Sequence, residues 1–146
     1  MSRKIKLPDK NFDFFLLSPS EFDVFLTGGI AVAGFPAPVE TESERIDITK
    51  YLIKHPEATY YARVKGNSMI NDFREGDLLI IDKSLEWSDN KIAMCYISGE
   101  FTLKRLKVKD GHCWLIPSNE NMSPIEVKSS DDVILWGIVT HSIRSH

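Results

Sequence analysis

From Ala58 onward, turn residues cut the chain into short runs of strand-forming residues, and this punctuation limits the fold more than any other feature. The runs are 59–64, 77–82, 91–97, 101–108, 112–116 and 133–141. Gly66-Asn67, Glu75-Gly76-Asp77, Ser98-Gly99-Glu100, Lys109-Asp110-Gly111 and the stretch 118–124 separate them. Glycine, asparagine and aspartate supply the backbone angles that tight turns need, and Ser98-Gly99 and Asp110-Gly111 are hairpin signals. Many short strands at near-regular spacing predict a mainly β fold, a compact, curled antiparallel domain.

The region before these runs differs in composition. Residues 1–40 combine Phe12, Phe14, Phe15, Phe22 and Phe25 with four prolines and three glycines. Such punctuation does not suit a continuous helix or a central strand. The aromatics do not suit a disordered tail. The segment reads as an extended N-terminal arm whose aromatics dock on the body. Residues 42–55 read as a short helix with Ile46, Ile48, Leu52 and Ile53 as apolar positions, ended by Pro56. The expected division is an arm over 1–40 and one folded domain over 41–146, since 146 residues suffice for one core and are short for two.

Net charge is −3 and the pI about 5.8, which argues against direct DNA binding because phosphate neutralisation needs a basic face. Cys95 and Cys113 lie in apolar runs and read as buried free thiols, with a single disulfide arithmetically open. No signal peptide or apolar span of about 20 residues is visible, so no membrane association is expected.

Ser68 follows the Gly66-Asn67 turn, a place where a hydroxyl can be exposed and the backbone N–H groups of Ser68 and Met69 aimed at a developing oxyanion. By itself this is also an ordinary turn followed by a polar residue. A serine needs a base. The histidines, at 55, 112, 141 and 146, are poorly placed, although a triad assembled in space stays open. Lysine is an alternative base once neutral, and desolvation favours the neutral form. Strand alternation puts Lys104 on one face with Thr102, Leu106 and Val108, and Arg105 on the other. Lys104 is then either a desolvated base or a strand-edge lysine reaching water. Arg105 is excluded as a base because its guanidinium keeps its proton.

Upstream, an apolar run leads to Ala33-Gly34, followed by Phe35-Pro36-Ala37-Pro38. Ala33 suits a small pocket, Gly34 lets backbones approach, and Pro36 biases Phe35 to an extended conformation, so Ala33–Gly34 reads as a scissile bond. A hinge before a proline-stiffened linker is the plainer alternative. The 34 residues from Gly34 to Ser68 can span about 110 Å, so reach is no obstacle.

Taken with His55-Pro56-Glu57-Ala58-Thr59-Tyr60, Gly66-Asn67-Ser68-Met69-Ile70, Glu75-Gly76-Asp77-Leu78-Leu79-Ile80-Ile81-Asp82, Gly99-Glu100-Phe101-Thr102-Leu103-Lys104-Arg105-Leu106 and Leu115-Ile116-Pro117, these features resemble the LexA/UmuD-type serine–lysine peptidase family from about Ala33 onward. The resemblance implies a LexA C-terminal-domain-like β peptidase fold, Ser68 as nucleophile, Lys104 as general base, and a self-inflicted cut at Ala33–Gly34. It implies a cytoplasmic SOS-response protein without a cofactor, stimulated by a RecA filament on single-stranded DNA. The shortened homodimer would join a UmuC-type translesion polymerase. Residues 1–33 are too short and too broken for the DNA-binding helix-turn-helix of LexA-type repressors. Phe12 to Leu17 resembles the short aromatic-aliphatic motifs that bind the replication clamp. The alternative from another class is a non-catalytic dimeric module that regulates such a polymerase.

Overall fold

The computed structural model describes residues 3–5, 9–17, 46–66, 72–117, 123–128 and 133–146, the first of these as backbone only. Among the described residues, nine strands form one antiparallel sheet. They are β1 (Arg3–Ile5), β2 (Phe12–Leu16), β3 (Thr59–Val64), β4 (Leu78–Asp82), β5 (Ile92–Ile97), β6 (Glu100–Lys109), β7 (His112–Ile116), β8 (Ile125–Glu126) and β9 (Val133–Ile143). Their spatial order is β1-β2-β3-β4-β9-β5-β6-β7-β8. The last strand in sequence therefore sits in the middle and joins two halves, β1–β4 and β5–β8. The expected β architecture is present, and all six expected runs from 59 onward are strands.

The turns behave as their residues demand. Ser98 and Gly99 have φ of 50° and 84°, and Asp110 and Gly111 have 53° and 76°. Two consecutive positive φ values match the right-handed twist of the strands they join. Alternation along β5 and β6 sorts side chains into two cores. One holds Phe12, Phe14, Tyr60, Ala62, Val64, Leu79, Ile81, Met94, Phe101 and Leu103. The other holds Ala93, Cys95, Leu106, Cys113, Leu115 and Ile138. Both cysteines are free and buried.

β9 serves both cores through a register shift. Met94 lies opposite Gly137 but Cys95 lies opposite Leu135, so one extra residue interrupts the ladder. Trp136 then packs against the first core while Ile138, two residues on, joins the second. Such a bulge switches the face of every later side chain. Gly137 has φ 148°, and a Cβ there would lie 2.6 Å from Ile81 Cγ2 and 3.2 Å from the Asp82 carbonyl oxygen. Gly137→Ala is therefore expected to cost about 2–3 kcal/mol of unfolding free energy in a denaturant titration. A change under about 0.5 kcal/mol would show that the backbone relaxes freely there.

The helix is shorter than expected. Ile46 and Asp47 precede it, α1 covers Ile48–Leu52, and Ile53 caps its end; residues 42–45 of the expected range lie outside the described residues. Asp47 supplies the start, its carboxylate accepting from Lys50 N at 3.3 Å. The chain leaves helical geometry at Ile53 (φ −115°, ψ 107°), three residues before Pro56, so the proline is not what ends the helix. A short 3-10 turn, Pro56–Ala58, then leads into β3, and Thr59 Oγ1 donates to the His55 carbonyl at 2.7 Å.

Within residues 1–40, β2 lies along β3 with Phe12 opposite Val64, Phe14 opposite Ala62 and Leu16 opposite Tyr60. Phe12 and Phe14 are fully buried. The Phe14 ring sits 4.7 Å from Phe101, 6.0 Å from Tyr60 and 6.3 Å from Trp136. Of the stretch Phe12 to Leu17, Phe12 and Phe14 are thus seated in the core, Phe15 and Leu17 are half-buried and Leu16 is exposed.

Candidate active site

Ser68, Met69, Ala33 and Gly34 lie outside the described residues. Lys104 is described, and its place follows from strand pairing. It lies opposite Ala93 on β5, half-buried. On its other side the β6–β7 ladder runs only from Arg105 to Lys109, so Lys104 is the first residue beyond the end of β7. Its face carries Ala93, Cys95 and Leu106 of the second core, with Val108 packed against that core. Burial pushes the Cys95 thiol up to about 12, with the nearby Lys104 charge acting in the opposite direction. Among the described residues no carboxylate pairs with Lys104. Among the described residues, Lys104 thus shares its face with apolar side chains and the buried Cys95 thiol.

Arg105 points to the opposite side, as alternation requires. Its guanidinium donates to the Asn90 carbonyl at 3.0 Å and to Asp72 Oδ2 at 2.7 Å. Asp72 is also held through its carbonyl oxygen, which accepts from Arg144 Nη2 at 3.4 Å. Arg144 in turn grips buried Asp77 with two bonds, Nε to Oδ1 at 2.9 Å and Nη2 to Oδ2 at 2.8 Å. Gly66, at the other side of the serine segment, has φ 85°, the turn geometry its identity suggests. The segment 67–71 therefore leaves a glycine turn at the end of β3 and re-enters at a residue fixed by β6 and the end of β9. Sequence reasoning did not identify Asp72 or Arg144. Asp72 had no pattern to mark it, and Arg144 meets Asp77 only through tertiary structure.

The hydrogen bond from Arg144 holds the Asp77 carboxyl below the usual carboxylate range; burial opposes this and the Arg74 backbone N–H supports it. A lowered folded-state pKa gives stability that is present above the unfolded value, about 3.9, and lost as pH falls through the folded value. Arg144→Met is expected to lower stability at pH 7, by less than the loss of a fully enclosed pair because the arginine is partly solvated. The gap from wild type should narrow below about pH 4 as Asp77 protonates. A gap independent of pH in chemical denaturation would rule out this pairing as the source.

The histidines do not assemble a triad among the described residues. His55 Nδ1 lies 2.6 Å from Asp82 Oδ2, but Ser84 Oγ donates to the other oxygen of the same carboxylate at 2.5 Å. The serine therefore faces the acid and not the imidazole, which leaves it without a base. Burial works to raise the Asp82 carboxyl, yet the bonds from Ser84 and His55 outweigh it and leave it below the usual range. His112 pairs with Glu126 at 2.8 Å, and His141 contacts Thr140 at 3.0 Å. No group of three or more metal-ligating side chains gathers among the described residues. Nor is any described helix long and apolar enough to cross a membrane.

A family model described as peptidase S24-like matches residues 26–140. Protein MucA of Salmonella typhimurium is 38% identical over 117 residues, covering 78% of this chain and 80% of the relative. Protein ImpA of Shigella flexneri is 33% identical over 114 residues, covering 77% of each. The LexA repressor of Aeromonas hydrophila is 32% identical over 119 residues, covering 80% of this chain and 58% of the repressor.

Proposed function

The chain belongs to the peptidase S24-like family, and from that premise we propose that it is a UmuD-type self-cleaving SOS protein in which Ser68 and Lys104 cut the Ala33–Gly34 bond. The observation that carries the assignment is the setting of Lys104. It lies on an apolar face just beyond the end of β7, on a strand whose next residue, Arg105, grips Asp72. Asp72 is four residues past Ser68, so chain connectivity keeps the serine within about 14 Å of an anchor on the lysine's own strand.

Neutral Lys104 takes the proton from Ser68 Oγ as the oxygen attacks the Ala33 carbonyl carbon. The negative charge that develops on the carbonyl oxygen is met by the N–H groups of Ser68 and Met69. Collapse breaks the bond to Gly34 nitrogen, which leaves as an amine carrying the proton from Lys104. Water then hydrolyses the Ala33–Ser68 ester and restores both side chains. A RecA filament on single-stranded DNA stimulates the cut in this reading, and the shortened cytoplasmic homodimer serves a UmuC-type polymerase. Likeness to MucA and ImpA supports that setting, and the acidic charge balance supports contact with DNA only through partners.

The test is incubation of the purified chain at mildly alkaline pH, which favours neutral lysine, read by intact mass. Expected is one cut between residues 33 and 34, absent in Ser68→Ala and blocked in folded Gly34→Glu. If the wild type stays whole both at alkaline pH and with an activated RecA filament, while a LexA relative is cut alongside, the protein is a non-catalytic module instead.

A further inference from the structure

The proposed cut lies downstream of β2, so it would separate from the body a strand that the body's core contains. Phe12 and Phe14 are fully buried, and β2 pairs along the edge of β3 from Tyr60 to Val64. The attachment extends beyond strand pairing. Asp9 caps the entry to β2, its Oδ2 accepting from the N–H groups of Asn11 and Phe12 at 2.8 and 2.9 Å. Its other oxygen accepts from Phe101 N at 3.2 Å, across the β5–β6 hairpin. Asn11 Nδ2 donates to the Phe101 carbonyl at 3.4 Å, and the Asn11 carbonyl accepts from Lys65 N at 2.7 Å. Lys65 Nζ donates to the Asp9 carbonyl at 2.9 Å and pairs with Asp13 at 3.3 Å. Lys10 pairs with Glu100 at 2.9 Å.

We propose that the β3 edge and the Tyr60–Phe101–Trp136 cluster form a binding groove for one extended peptide, Asp9 to Leu17 of this chain, which stays bound without a covalent link after scission. The ligand class is an extended segment with an aspartate cap followed by aromatic, any residue, aromatic. Backbone pairing along the edge gives affinity, and the two aromatic seats give selectivity. The cut changes a tethered ligand at high effective concentration into a free one at the protein's own concentration. The immediate product is thus a two-chain complex, and loss of the arm is a separate exchange step. The proposal depends on the self-cleavage reading only for the occasion of the cut.

The experiment makes the cut by other means. A recognition sequence for a site-specific protease is inserted after residue 30 of the full chain carrying Ser68→Ala, so self-scission plays no part. After nicking, at roughly 10 µM protein, the N-terminal piece is expected to co-elute with the body in size exclusion and to appear with it in native mass spectrometry. Synthetic peptide 9–17 is expected to displace it. The same peptide with Phe12→Ala and Phe14→Ala should need more than roughly a thousandfold higher concentration. Elution of the N-terminal piece away from the body, whether the body stays folded or aggregates, overturns the proposal. Equal displacement by both peptides, or by neither, overturns the assignment of the aromatic seats. None of these outcomes bears on whether Ser68 cuts Ala33–Gly34.

Discussion

Lys104→Arg is expected to lower self-scission at alkaline pH by a factor of about 10² to 10⁴, the usual share of a general base, while leaving the sheet intact. The substitution keeps a long cationic side chain on a half-buried face, so packing and charge change little. It removes the ability to become neutral, because guanidinium does not release its proton in proteins. Raising the pH should speed the wild type and leave the variant flat. The measurement is the intact-mass time course, with far-UV and near-UV circular dichroism as the check on folding. Arginine supporting scission within about threefold of lysine would remove Lys104 from the role of base. The neighbouring variant Arg105→Gln makes an informative companion. It breaks the bond to Asp72 and leaves Lys104 in place, so slower scission with the same pH response would mark Arg105 as a positioning residue.

Phe14→Ala is expected to destabilise the intact chain by about 3–5 kcal/mol, lowering Tm by roughly 10–15 °C. Its ring is fully enclosed by Phe12, Tyr60, Phe101 and Trp136, so truncation leaves a cavity within an aromatic cluster. Phe15, one residue along, faces the other way and lies half-buried beneath the Arg63 guanidinium at 5.9 Å. Phe15→Ala should cost about 1 kcal/mol, chiefly the loss of an exposed cation–π contact. Equal costs at the two positions, measured by thermal and urea unfolding, would mean that β2 is only loosely laid on the body. Phe14→Leu guards against a chain that fails to fold, and its cost should fall between the two.

Six of the seven strands after residue 58 were legible because turn residues with a specific backbone demand separate them; the two-residue β8 was not. Ser98-Gly99 and Asp110-Gly111 take the positive φ values that such hairpins need, and the run 112–116 is reproduced as β7. The two faces of β6 were legible for the same reason, since Lys104 and Leu106 alternate with Leu103 and Arg105. The helix was overread because apolar spacing at Ile46 and Ile48 suggested a buried face, whereas both are exposed. Asp47 was the better signal, an N-cap three residues before the N–H it accepts. Strand order was not legible. Nothing local distinguishes β9 as the central strand, and its bulge at Gly137 is a response to Ile81 and Asp82 in a distant element. The anchoring of Asp72 was hidden for a similar reason, since its partners come from residues 33 and 72 positions away.

The central position of β9 bears on timing during synthesis. β3 and β4, which flank the serine segment, and β6, which carries Lys104, belong to halves whose ladders are joined only through β9, although the halves also share a core and the Arg105–Asp72 bond. β9 leaves the ribosome after β3, β4 and β6. Until then the two halves have no shared ladder. On the proposed reading, Ser68 and Lys104 would join one continuous sheet only after this late strand is in place, so its insertion would delay scission until the sheet is closed.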